Sequence, residues 1–378
     1  MWLFIVLGVL LLCAYVCWRA AQALFAPGFL RWFCFALLLL SSAGFLLGMP
    51  LRDTAAGIFL RQLGATWMLT LPYWLLAVLF FDALRFTHRR RPFFPGWVKR
   101  HYPRAKRFAF LFSVAVVASI FLRGYWNFSH PVITDVTVTI PKNAGSRTSL
   151  RAAVAADLHL GHLIDRDRLR QYVDLINSLN ADIILLPGDI IDFGIAPLLA
   201  QNMGDELARL RAPLGVFAVL GNHERYGNAI ACTDFLSRHG IRVLRDESVL
   251  IDNAFYLVGR NDIDRRRDNQ HRATLDDLLR PLDRTKPIIV LDHQPHDLDE
   301  PARAGADFQL SGHTHRGQVW PVTWIVDALY PVSYGLGGKD AFQIYVTSGL
   351  GLWGFPARIG SVSEVVHLTL QFSPPPNS

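Results

Sequence analysis

His313 and His315 stand two positions apart in LSGHTHRG, residues 310–317, with Gly312 and Gly317 on either side of the pair. In extended backbone, side chains at i and i+2 point the same way, so both imidazoles would face one space, as in a simple chelate. Four other places in the chain repeat the pattern of an apolar run that ends in a residue able to bind metal. AAVAA leads into Asp157 and His159, IILLP into Gly188 and Asp189, VFAVL into Gly221, Asn222 and His223, and IIVL into Asp292 and His293. Taken singly, each ending reads as an ordinary turn closed by an Asx hydrogen bond. Five of them in order over residues 157–315 point instead to one site.

Asp157, His159, Asp189, Asn222, His293, His313 and His315 together offer carboxylate, amide and imidazole donors, a mixture suited to Mn, Fe or Zn. Seven side chains exceed the needs of one ion and match two, provided a single carboxylate bridges them. Two divalent ions ~3.5–4 Å apart form a clamp for in-line displacement at phosphorus, because they neutralise phosphate oxygens and activate a water as nucleophile. A phosphoester brings the negative charge that such a pair requires. A neutral peptide or sugar would leave the second ion without a purpose.

DLHLGH, LPGDIID, LGNHE, DHQP and SGHTH resemble, in order, the five signature blocks of the calcineurin-like metallophosphoesterase superfamily, over residues 150–370. The resemblance implies two mixed β-sheets packed as a sandwich flanked by helices, with a dinuclear site at the strand ends. It also implies that Asp157, His159, Asp189 and His315 hold one ion. Asp189, Asn222, His293 and His313 would hold the other, with Asp189 bridging, so that His313 and His315 serve different ions. His223 resembles the family's histidine that faces the substrate and protonates the leaving oxygen, work suited to an imidazole titrating near neutrality. Asp192 matches the second Asp of GDxxD, which orients that histidine; a helix-start cap is the alternative. RGQVWP at 316–321 and the segment 345–370 resemble a bacterial branch of the superfamily that carries an N-terminal membrane region. Arg316, where that branch commonly has Gly, and Arg358 are candidate phosphate contacts, or else solvated arginines. Glu224 is either a support for the site or exposed, and His162 either faces the site or sits in an exposed loop.

These residues need a scaffold that brings strand ends together. Short β-type runs alternate with helical spacing after residue 128, the rhythm of an α/β domain, whose binding crevice lies at the carboxyl ends of the strands. Helices are expected at Arg166–Leu179, Pro197–Leu210, Ala229–His239 and Ala273–Leu279, with a first strand in His130–Ile140. The 378-residue chain is thus read as a catalytic domain at 129–378 preceded by a membrane region at 1–128.

Charge separates the same two regions. Residues 1–128 hold 14 of the 38 Lys+Arg and 2 of the 31 Asp+Glu, which leaves 24 basic against 29 acidic residues for the rest. The overall excess of +7 therefore belongs to the first third, and nucleic acid is not expected as a partner of the remainder. Apolar runs at Trp2–Trp18, Trp32–Met49, Trp67–Leu84 and Phe108–Leu122 predict about four transmembrane helices, the last reaching spanning length only with Arg123–Trp126. Asp82 in the third run reads as an interfacial partner of Arg85, one turn away. The nine Lys+Arg between Arg85 and Arg107 mark a cytoplasmic segment, which puts the catalytic domain outside the cytoplasm, in the periplasm of a bacterial inner-membrane protein. Cys232 is alone in the soluble part, so no disulfide framework exists there.

The sequence therefore predicts a membrane-anchored dinuclear-metal phosphoesterase acting on a monoester, diester or pyrophosphate, lipid-linked or at the membrane surface, with an oligomeric state left open. Two alternatives stand beside it. One is a pyrophosphatase of the UDP-diacylglucosamine type, against which the predicted orientation counts. The other is a metal-binding sensor or transport module without catalysis, against which an intact His223 counts.

Overall fold

The computed structural model describes residues 2–51, 54–263 and 272–373, and divides into two compact units, Met1–Gly124 and Tyr125–Ser378. Each is a consequence of a different hydrophobic pattern.

Among the described residues three helices, the last of them continuing into the second unit, are long and apolar enough to cross a membrane. They lie within Trp2–Leu24, Ala55–Arg90 and Tyr102–Ser129, of 23, 36 and 28 residues. The run expected as a span from Trp32 to Met49 is divided instead into Phe29–Ser42, 14 residues, and the short Gly44–Gly48. The break follows from its sequence. Ser41 and Ser42 turn their hydroxyls back onto the carbonyls of Leu38 and Leu39, 2.7 Å each, and the Ala43 amide shares its bond between Leu39 and Leu40. Glycine at 44 and 48 then allows close packing on the long helix. A Cβ at either position would lie 2.7 Å from a carbonyl oxygen, of Leu60 and Gly57 respectively. Asp82 is engaged by Arg19 and by the Tyr15 hydroxyl rather than by Arg85.

The second unit is a sandwich of two six-stranded mixed sheets. The first contains β1 (Val132–Ile140), β2 (Ser149–Val154), β3 (Ile183–Pro187), β4 (Val216–Val219), β5 (Ile241–Val243) and β12 (Glu364–Phe372), in the order β1-β12-β2-β3-β4-β5. β2 to β5 run parallel, β12 lies antiparallel to β2, and β1 joins β12 in parallel. The second sheet contains β6 (Glu247–Ile251), β7 (Phe255–Gly259), β8 (Ile288–Leu291), β9 (Phe308–Ser311), β10 (Gly335–Lys339) and β11 (Phe342–Val346), in the order β10-β11-β9-β8-β7-β6.

Period-2 alternation decides which core each side chain joins. Leu150, Ala152 and Val154 of β2, with Ile183 and Leu185 of β3, face Ile289 and Leu291 of β8 between the sheets. Their neighbours Ala153, Ile184 and Leu186 pack outward against the helix Arg166–Ser178, through Leu169, Tyr172, Val173 and Ile176. On the far side, Ile288 and Val290 pack with Leu275 and Leu279. Both faces are covered, as parallel strands require, and that is why these runs are continuously apolar. The helix predicted over Pro197–Leu210 is two short ones, Ala196–Ala200 and Met203–Leu207, parted by Asn202 at φ 51°.

Candidate metal centre

The parallel strands β2, β3, β4, β8 and β9 all deliver chemistry at their carboxyl ends, and the loops beyond them remain hydrogen-bonded to one another. Asp157 and His159 donate backbone N–H to the carbonyls of Gly188 and Asp189, 3.0 Å each, while Leu350 and Gly351 donate to Ala156 and Asp157. The loop that carries Asp157 is therefore held on both sides. Asp157, His159, Asp189, His313 and His315 all adopt left-handed backbone, with φ between 48° and 71°. Each such residue costs on the order of 1 kcal/mol, and Asp and His tolerate the region better than most. The premise that His313 and His315 lie on extended backbone fails here. Thr314 between them is right-handed and His315 opens a short 3-10 turn, so the two rings diverge.

The divergence sends the rings to different neighbours. Asp157, His159 and His315 present ligand atoms all within 4.8 Å of one another, and so do Asp189, His293 and His313. In the first group His159 Nε2 lies 3.1 Å from His315 Nε2, 4.0 Å from Asp157 Oδ1 and 3.9 Å from Asp189 Oδ2, and His315 Nε2 lies 3.5 Å from Asp157 Oδ1. Ligands on a shared ion at ~2.1 Å are separated by ~3.0 Å at right angles and ~4.2 Å when opposed, so this set fits one ion. In the second group His293 Nε2 is 3.1 Å from the same Asp189 Oδ2, and the Asn222 amide oxygen is 2.8 Å from His313 Nδ1. Asp189 faces both groups because its other oxygen is occupied, accepting the His223 N–H at 2.9 Å.

The donor set fits divalent cations on a second count. His293 Nδ1 donates to the Pro187 carbonyl at 2.9 Å, which leaves the fully buried Nε2 aimed at Asp189 with no hydrogen-bond partner of adequate geometry. An imidazole nitrogen and a carboxylate oxygen at that separation need a positive charge between them, either a proton on Nε2 or a divalent ion in its place. Burial lowers the His293 pKa, but the Asp189 charge outweighs it and holds the ring well above its ordinary value. Burial likewise works against ionised Asp189, and His293 and His159 reverse it, keeping that carboxyl well below the usual range. Burial, then the neighbouring rings, pushes His313 down to about 3 and His315 well below normal, so both are neutral at pH 7 with a lone pair available.

A third grouping, His159 with Asp192 and His223, has a different character. Asp192 Oδ1 accepts from His223 Nδ1 at 2.6 Å, a hydrogen bond, and lies 3.6 Å from His159 Nδ1. Asp192 caps no helix, since Ala196–Ala200 begins beyond it. Burial lowers the His223 pKa, yet the Asp192 bond and the Asp189 charge bring it above the ordinary value.

The arginines behave differently from the histidines. Arg358 departs from its expected place at a substrate: it is 0% exposed and donates to the carbonyls of Gly349, 3.0 Å, and Gly351, 2.5 Å, with a longer contact to His315 O. A guanidinium closed off from solvent behind the site cannot meet a phosphate. Arg316 is half-buried and stacks on the Tyr334 ring, 4.5 Å away. His162 is exposed.

Of the two readings of Glu224, support for the site or exposure, the structure shows the first, and Phe193 and Tyr226 join the region without a sequence signal of their own. Glu224 is fully buried, accepting from the N–H groups of Ile191 at 2.7 Å and Gly221 at 2.8 Å, so it ties the loop of Asp189 to the loop of Asn222. Phe193 and Tyr226, both more than half exposed, place their rings 4.6 and 6.0 Å from His223. The only hint of either was adjacency, Phe193 to Asp192 and Tyr226 three residues past His223.

Strand-end carboxylates and imidazoles on an α/β sandwich define a class of metal-dependent protein. Residues 150–317 match the calcineurin-like phosphoesterase family. A metallophosphoesterase of Aquifex aeolicus is 34% identical over 245 residues, 63% of this chain and 90% of that protein, and one of Helicobacter pylori is 30% identical over 268 residues, 70% of this chain and 71% of that protein. A transmembrane protein with metallophosphoesterase domain from Danio rerio is 30% identical over 253 residues, 64% of this chain, and the match spans 57% of that relative's length. The chain belongs to the calcineurin-like metallophosphoesterase family, and its apolar helices associate it with a membrane.

Proposed function

We propose that this chain is a dinuclear-metal phosphoesterase of the bacterial inner membrane, with residues 1–128 as its anchor and 129–378 as its catalytic domain. The observation that carries the reading is the position of Asp189 Oδ2, 3.9 Å from His159 Nε2 and 3.1 Å from His293 Nε2, between two sets of buried donors. Asp157, His159, Asp189 and His315 would hold one ion, and Asp189, Asn222, His293 and His313 the other. Bound divalent cations supply Lewis acidity toward phosphate oxygens and a water acidic enough to act as nucleophile at neutral pH.

The remaining chemistry falls to the protein. His223 presents Nε2 with its ring fixed by Asp192, so it donates a proton to the leaving oxygen and stabilises charge on the phosphoryl group. Phe193 and Tyr226 line the leaving-group side and exclude water from it. Purified full-length protein with Mn²⁺ should hydrolyse p-nitrophenyl phosphate or its diester. Asp189→Asn and His223→Ala should each lower kcat by about 10²–10⁴-fold. Unchanged turnover in both variants would favour the sensor or transport alternative.

The substrate we infer is a phosphoester or pyrophosphate attached to a lipid or lying at the membrane surface, because a tether raises the effective concentration of such groups. Its side of the membrane follows from the basic segment Arg85–Arg107 and requires only that the helix Tyr102–Ser129 crosses, however many earlier helices do. An extracytoplasmic domain excludes a cytoplasmic nucleotide-sugar pyrophosphate. A C-terminal reporter active only inside the cytoplasm would reverse that choice, and no turnover of any lipid-linked phosphate by enzyme active on soluble esters would remove the lipid assignment.

A further inference from the structure

The basic residues around the cytoplasm-facing loop do not all behave as a solvated charge run. Arg89, Arg90, Lys99, Arg100, Arg104 and Arg107 are exposed, whereas Arg19, Arg31, Arg85 and Lys106, from four different helices, are half-buried. Together with Gln22 and Tyr102 these four line a cavity of 220 Å³. It shares Arg19, Gln22, Arg85, Tyr102 and Lys106 with a larger cavity of 290 Å³, whose other wall is apolar and includes Trp74, Val78, Phe81, Ala109 and Phe110. A cationic mouth therefore opens into an apolar groove between helices.

Among the described residues a single carboxylate meets the charge at the mouth. Asp82 is engaged by Arg19 and Tyr15. Arg31 donates to the Phe25 carbonyl at 2.8 and 3.1 Å, Lys106 to the Gln22 carbonyl at 2.6 Å, and Arg85 lies over the Tyr102 ring. Carbonyls and a ring accept hydrogen bonds or polarise, but they do not neutralise. Three half-buried cations beside one engaged carboxylate call for an anion, and the apolar groove behind them calls for a hydrocarbon chain.

We propose that this cavity seats an anionic phospholipid, with its phosphate among Arg19, Arg31, Arg85 and Lys106 and an acyl chain along Val78, Phe81 and Phe110. The lipid is a bound component of the membrane unit, independent of whether the metal centre hydrolyses phosphoesters. Trp97 and Tyr102 at the rim suit headgroup depth. The anion and the chain must be one molecule, because free phosphate would leave the apolar wall uncovered and a neutral lipid would leave the cations unpaired.

The test uses full-length protein in detergent, mixed with phosphatidylglycerol, phosphatidylcholine or inorganic phosphate and read by native mass spectrometry. One phosphatidylglycerol per chain should survive conditions that strip phosphatidylcholine. Arg31→Gln, Arg85→Gln and Lys106→Gln combined should reduce its retention about tenfold or more, since each cation near a headgroup contributes on the order of 1 kcal/mol. Replacing the exposed Arg89, Arg90 and Arg104 by Gln should leave retention within about twofold. Ala109→Trp fills the groove with all charges intact and should also abolish retention, which keeps the test decisive if the triple variant fails to fold. Equal loss in the exposed-arginine variant would overturn the proposal, as would full retention in Ala109→Trp, equal retention of the two lipids, or displacement of phosphatidylglycerol by millimolar phosphate.

Discussion

Replacing Arg358 with Met separates two roles for one arginine. Its side chain is 0% exposed and donates to the carbonyls of Gly351 at 2.5 Å and Gly349 at 3.0 Å, with contacts of 3.5 Å to His315 O and Ser361 Oγ. Burial lowers its pKa to about 10, which still leaves it charged at neutral pH. Hydrogen bonds from a charged donor contribute ~1.5–3 kcal/mol each, and the two contacts at 3.5 Å contribute little by geometry. Two good bonds opposed by the desolvation of the guanidinium give a net loss of about 3–5 kcal/mol, the range expected when one side of a buried polar arrangement is removed.

For a unit of this size each kcal/mol moves Tm by ~2–4 °C, so Arg358→Met should melt ~6–20 °C below the wild type. Arg358→Lys keeps the charge but not the fork, and should lose roughly half as much. Thermal unfolding of the full chain by intrinsic fluorescence measures this, with kcat and KM for a model ester recorded on the same samples. A substrate-binding arginine would give the opposite split, an unchanged Tm and a KM raised tenfold or more. That result would refute the scaffold role.

Four further substitutions probe the site and its supports. Glu224→Gln offers one acceptor where the N–H groups of Ile191 and Gly221 need two, and should cost about 1–3 kcal/mol in thermal or urea unfolding; an unchanged midpoint would show that the loops are not tied there. Gly221→Ala places a methyl group directly against Asp189 Oδ1 and 2.6 Å from the Asp189 backbone N, so kcat should fall about 10²-fold with a stability loss of about 1–3 kcal/mol, and normal kcat would mean that Asp189 can shift without consequence. His313→Ala and His315→Ala should each leave about one ion per chain by elemental analysis, and the ion lost should differ between the two, visible in the electron paramagnetic spectrum of Mn-loaded protein; loss of both ions from either variant contradicts separate groups.

How much of this was visible in the sequence depends on the range of the interaction involved. The sandwich was legible because β3, β4 and β8 are buried on both faces and read as unbroken apolar runs, as does the stretch 152–156 at the end of β2, and because these runs and β9 are each followed by a Gly, Asp, Asn or His. The pairing of β1 with β12 was not legible, since Val132 meets Glu364 across most of the domain and neither segment's pattern names its partner. Short-range backbone choices were also hidden. Nothing in HTH distinguishes two residues on one face of a strand from two left-handed residues flanking a right-handed Thr314, yet that choice decides whether the rings share an ion.

The same limit explains the two arginines and the broken helix. An arginine between Pro356-Ala357 and Ile359-Gly360 reads as a surface residue because charge is almost never buried; only the fold-back of this loop onto the Gly349 and Gly351 carbonyls, nine and seven residues upstream, makes it tolerable. In the membrane unit, hydropathy measures how apolar a stretch is but not where its backbone bends. Hence Trp32–Met49 passed as a span, although Ser41, Ser42 and Gly44 break it and Gly48 packs against Gly57. The inward turn of Arg85 and Lys106 belongs to this class of fact too. Sequence shows nine positive charges in one segment, and only packing separates the exposed ones from the half-buried Arg85 and Lys106, which the proposal pairs with an anion.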